Sequence, residues 1–120
     1  MQEINANLVM QRIVKANIFV SRKLDKKCDV NVECKAEMKT SKEQENNSIL
    51  LKLELRITTE DEKLQIELEA DTIFELDQLP NDYDEIAEHK LVPSARDTLL
   101  KSLDEILITM GYYKMGLQEK

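Results

Sequence analysis

The sequence predicts an α+β fold, a four-stranded antiparallel sheet followed by a short helix and a long one, and three observations carry that expectation. Residues 30–76 hold three stretches in which apolar and polar residues alternate, the period of a strand with one dry face. Polar segments rich in Asn, Ser, Asp and Glu separate these stretches. Beyond Pro80 the apolar residues change to the three-and-four spacing of an amphipathic helix.

The first strand is placed within residues 8–23, where Ile18, Phe19 and Val20 are β-branched or aromatic. The second sets Val30, Val32, Cys34, Ala36 and Met38 against Asn31, Glu33, Lys35 and Glu37, and the polar residues 40–47 read as a long hairpin loop. The third puts Ile49, Leu51, Leu53, Leu55 and Ile57 on one face, with Lys52, Glu54 and Arg56 on the other. After residues 59–62, Leu64, Ile66, Leu68, Ala70, Phe74 and Leu76 fall in phase against Gln65, Glu67, Glu69 and Asp71. Three consecutive strands joined by polar loops form an antiparallel meander.

Asp82 followed by Glu85 has capping-box spacing and opens a short helix that runs to about His89. A second helix is expected from Pro93 and Ser94, with Ser94 and Asp97 as its cap, and carries the stripe Ala95, Leu99, Leu103, Ile106, Leu107 and Met110. Gly111 ends it. One stripe covers one face of the sheet, and the charged face meets water or a ligand.

At 120 residues the chain makes one domain, 1–120, and its 42% of apolar residues are enough for a core. So small a core gains from burial against a second subunit. The net charge is −7, with Lys and Glu interspersed and no basic block, which argues against nucleic acid and anionic membrane as partners. No apolar run reaches the roughly 20 residues of a membrane span, and the N-terminus lacks a basic start followed by an apolar stretch, so a cytoplasmic protein without membrane insertion is expected.

Chemistry-bearing constellations are sparse. Cys28 and Cys34 within one strand would stand about 20 Å apart, too far to pair, and read as reduced thiols, Cys34 as a small core residue. His89 is the single histidine, so neither a zinc site nor a nucleophile–base pair can be assembled from nearby residues. With only Gly111 and Gly116, no glycine-rich phosphate loop exists. No catalytic residue, metal ligand or cofactor is expected. Arg96, in what would be the first turn of the long helix, opposes the helix dipole and asks for an ion pair or backbone acceptors.

The order of elements, with Gln11-Arg12-Ile13 and Ile18 in the first strand, Ile73-Phe74 in the fourth, Pro93 with Ala95-Arg96-Asp97 at the helix start and Gly111 with Leu117 at its exit, resembles the SecB family of export chaperones from about Met10 to Leu117. The resemblance implies a homo-oligomer, dimer or tetramer, that holds unfolded or partly folded polypeptides without ATP in apolar grooves and delivers them to the SecA translocation motor. It points to Phe19 and Phe74 on the sheet, Leu91 and Val92 between the helices, and Tyr112, Tyr113, Met115 and Leu117 in the tail as polypeptide-binding residues. Of the positions that match the acidic SecA-docking surface, Asn17, Ser21, Gln65 and Glu67, only Glu67 is a carboxylate. The second reading is a dedicated interaction module of SecB-like fold, such as a regulator or antitoxin partner.

Overall fold

The computed structural model describes residues 4–24, 29–40, 48–78 and 81–112. Four strands form one antiparallel sheet: β1 (Ala6–Val20), β2 (Val30–Thr40), β3 (Ser48–Thr59) and β4 (Leu64–Leu76). Their order across the sheet is β1-β4-β3-β2, so the expected meander of β2, β3 and β4 is present and β1 joins at its far side, against β4. Both β1 and β2 are edge strands.

The β3–β4 turn is built by its own polar side chains. The Leu64 N–H donates to the Thr59 hydroxyl, which donates to Asp61, and the Lys63 N–H also donates to Asp61. These bonds, the Thr59 hydroxyl first, hold the Asp61 carboxyl below its usual range. Glu62 takes the left-handed backbone that closes the turn.

The helical region departs from expectation. Instead of two helices with a linker at Lys90-Leu91-Val92, one continuous helix covers residues 83–109: α1 (Tyr83–Ile86), a π-helical turn (Ala87–Leu91) and α2 (Val92–Thr109). Asp82 caps the start as expected, its side chain accepting from the N–H groups of Asp84 and Glu85. Ser94 does not cap anything, because the chain is already helical there and no side chain caps α2. The reason is Pro93. In a regular α-helix its ring would press on the carbonyl of His89, four residues back, and its missing N–H would leave that carbonyl unpaired. The wider turn, in which the Val92 N–H reaches back to the Ala87 carbonyl, relieves the crowding without ending the helix.

The stripe is also displaced. Ala95, Leu99, Leu103 and Leu107 are buried as expected, but Leu100 and Asp104 join them, while Ile106 is half-buried and Met110 exposed. Together these side chains cover the two central strands, whose inner faces from Ile49 to Ile57 and from Leu64 to Leu76 are buried throughout. Each such side chain contributes roughly 2 kcal/mol by leaving water. Gln11 ties helix to sheet, its amide donating to the Ala95 carbonyl and to the hydroxyl of buried Thr72.

At the helix end Gly111 has φ +101°, its N–H donates to the Ile108 carbonyl, and the Tyr112 N–H reaches the Leu107 carbonyl, a Schellman cap. A Cβ on Gly111 would meet nothing within 4 Å, so any penalty is purely conformational. Gly111→Ala is therefore expected to lower stability by about 1 kcal/mol, read as a shift of the urea midpoint; an unmoved midpoint would mean the cap opens at negligible cost.

Candidate polypeptide-binding surface

The helix covers β3 and β4 and leaves both edge strands partly open. The inner residues of β1 (Ala6, Leu8, Ile13, Ile18, Val20) and of β2 (Val30, Val32, Cys34, Met38) pack against the core yet stay half-exposed. They form an apolar ledge on either side of the helix.

β1 carries a second apolar surface. Its pairing with β4 slips by one residue between Leu8 and Met10 and again between Ile13 and Lys15, leaving Val9 and Val14 as extra residues without a partner on β4. Val9 is 51% exposed, Met10 37%, Val14 55% and Phe19 55%. Ile108, Met110 and Tyr112, at the last turn of the helix, are exposed too. The start of the helix is fixed near Ile4 and Gln11 by bonds from Lys90 and to Ala95, so its last turn lies toward the Val20 end of β1, where Phe19 sits. Phe19, opposite the outward Gln65, nevertheless faces away from the helix, so Met110 and Tyr112 lie on the other side of the sheet from it.

The outer face of the sheet is a lattice of charge. Across β1, β4, β3 and β2 the rows run Arg12–Asp71–Lys52–Glu37, Lys15–Glu69–Glu54–Lys35 and Asn17–Glu67–Arg56–Glu33. Positive and negative groups nearly balance, and Glu67 lies 3.3 Å from Arg56. A shallow depression lined by Val14, Lys35, Glu37, Lys52 and Asp71 opens onto this face. Glu67, the one carboxylate among the positions that match a docking surface, is therefore largely neutralised by its neighbours across the strands.

The residues singled out from sequence do not converge. Phe74 and Leu91 are 1% and 0% exposed, packed in the chain's own core under the helix. Val92 is half-buried near the π turn, at the end opposite Phe19 and Tyr112. Tyr113, Met115 and Leu117 lie outside the described residues. Sequence reasoning missed Val9, Met10 and Val14, although the adjacent apolar pairs Val9-Met10 and Ile13-Val14, which break strict alternation, are the mark of a bulge.

Cys34 is half-buried, and burial pushes its thiol up from the ordinary value while the charge of Arg96 partly offsets this; a thiol so placed is a poor nucleophile. Cys28 lies outside the described residues. Arg96 reaches Asp97 at 3.8 Å, and since the helix begins at residue 83 it stands in the helix interior rather than the first turn. Among the described residues no three His, Cys, Asp or Glu side chains cluster as metal ligands, and no helix is long and apolar enough to cross a membrane.

No family model and no curated protein sequence matches the chain. Among solved structures it is similar to the Mycobacterium tuberculosis Rv1957 SecB-like chaperone in complex with a ChAD peptide from the Rv1956 HigA1 antitoxin, with a TM-score of 0.72 at 8% identity over 92% of this chain and 86% of that one. The four-stranded antiparallel sheet with its C-terminal helix is the SecB-like fold.

Proposed function

We propose that this protein is an ATP-independent holdase that binds unfolded or partly folded polypeptides in the cytoplasm, acts as a homo-oligomer, and performs no catalysis. One observation carries the reading: four large exposed apolar side chains, Val9, Met10, Val14 and Phe19, lie on a single open edge strand. An extended polypeptide offers backbone hydrogen bonds and scattered apolar side chains, and an irregular apolar edge accepts many such sequences weakly. Tyr112 offers a further apolar contact on the helix side of the sheet, the tail residues Tyr113, Met115 and Leu117 are further candidate contacts, and Val92 contributes at the other end of the helix. Phe74 and Leu91 act from beneath, by holding the helix against the sheet.

A dedicated module for one partner is the second reading, favoured by the antitoxin peptide bound to the structural neighbour. Docking to SecA takes a minor place, because Glu67, the carboxylate it would use, faces Arg56.

Suppression of light scattering by two unrelated unfolding proteins tests both readings. The wild type is expected to protect both, and the Val14→Asp, Phe19→Asp double variant to bind about tenfold more weakly or worse while keeping its far-UV spectrum. Protection of one protein alone selects the dedicated module. Undiminished protection by the variant removes β1 from the site.

A further inference from the structure

Arg96 is a cation that the fold holds only loosely. Its side chain is 29% exposed, and its one anion is its neighbour in sequence, Asp97, which lies 3.8 Å away and is itself 65% exposed. Among the described residues nothing accepts a hydrogen bond from its guanidinium. A guanidinium carries five N–H donors in a planar fork, and taking it partly out of water without an acceptor costs free energy that a bidentate carboxylate would offset.

Its neighbours fix where it stands. Ala95 lies over Gln11, whose row across the sheet continues through Thr72 and Leu51 to Met38 on β2. Arg96 is one residue further round the helix, and its charge acts on the thiol of Cys34, so its head stands over the stretch of β2 between Met38 and Cys34. The inner residues of that strand are Val30, Val32, Cys34, Ala36 and Met38, with no carboxylate among them. Ala36, small and exposed, leaves the ledge lowest between Cys34 and Met38. Val92, one turn before Arg96, lines the same side of the helix.

We propose that Arg96 holds an acidic side chain of the bound polypeptide, so that the β2 ledge selects extended segments in which an Asp or Glu stands between two apolar residues. Side chains on one face of an extended segment recur at every second residue, about 7 Å apart. With the acidic residue under Arg96, the residues two before and two after it on that face come down on Met38 at one end and on Cys34 with Val32 at the other. The apolar ledge continues on both sides of Arg96, which suits an internal acidic residue and not a chain end. The net charge of −7 opposes an acidic segment at long range, but that repulsion is screened beyond about 8 Å at physiological salt. The pair with Arg96 acts in contact and partly out of water, where it is stronger. This rests on the proposed binding of extended polypeptides and adds what the bound segment must carry.

Fluorescence anisotropy of a labelled peptide with Leu-Ser-Glu-Ser-Leu at its centre tests it. The comparison peptides carry Gln or Lys in place of the Glu, or have the Glu moved next to a Leu and so onto the opposite face. The Glu peptide is expected to bind about tenfold more tightly than the Gln peptide, and the Lys and moved-Glu peptides no better than the Gln peptide. Arg96→Met, which keeps the apolar stem and loses the charge, should erase the preference and leave the affinity for the Gln peptide unchanged. Arg96→Lys, a point charge without the fork, should keep part of the preference, and circular dichroism checks that both variants are folded. The proposal is overturned if the wild type binds the Glu, Gln and Lys peptides alike, binds the moved-Glu peptide as well as the original, binds none of them, or if Arg96→Met keeps the preference. Peptide selection by a protein that protects neither unfolding substrate upholds the role of Arg96 and sinks the holdase reading; protection of both substrates with no peptide bound does the reverse.

Discussion

Truncating Phe74 to alanine is expected to cost about 4 kcal/mol of folding stability, enough to leave a domain of this size close to its unfolding threshold. Phe74 is the largest of the fully buried side chains, paired with Ile49 on β3 and with Leu8 on β1, so its ring bridges three strands beneath the helix. Its removal strips apolar contact and leaves a cavity that rigid strands on both sides cannot close. Urea denaturation of wild type and variant measures the loss directly. A variant that stays nearly as stable but binds unfolded protein poorly would instead place Phe74 in a groove that opens, with the helix lifting from the sheet to admit the client.

Asp104 makes the opposite prediction. It is 3% exposed, flanked on α2 by buried Leu100, Leu103 and Leu107, and neither of its carboxyl oxygens accepts a hydrogen bond. A buried polar group without a partner loses its hydration and gains nothing in exchange, and aspartate is a poorer helix former than leucine. Asp104→Leu is therefore expected to raise stability by about 2 kcal/mol, visible as a higher urea midpoint. A lower midpoint would show that the carboxyl group meets a partner in the assembled protein, on another copy or on a client.

Most of the sheet was legible because its signal is local. Strict alternation over β3 and β4 reports one dry face, and every inward residue named there is buried. Where β1 joins was not legible, because alternation says which face is dry and not which edge a strand occupies. The helix break at Pro93 was misread for a related reason. A proline disfavours helical backbone at the residue before it, yet Val92 has φ −63° and ψ −48°, since Leu91 and Ala95 on either side are both fully buried and hold the backbone there. Packing outweighs the local preference. The same limit applies to the site. Apolar residues can be counted in the sequence, but whether Phe74 or Val14 faces water depends on the bulges that turn β1 and on how far the helix reaches across the sheet.

The π turn also explains how the two helical segments share one face. Ile86 and Leu91 are both buried although they are five residues apart. In a regular α-helix that spacing would turn the second about 140° away from the first. The extra residue in the wide turn absorbs the difference and returns both to the sheet. The turn works as a phase adjuster: it lets the polypeptide between Asp82 and Ala95 be one residue longer than a straight helix would allow, without rotating either hydrophobic stripe. An insertion or deletion elsewhere in this helix would swing half of the core into water, whereas here a change of one residue in chain length is taken up within a single turn.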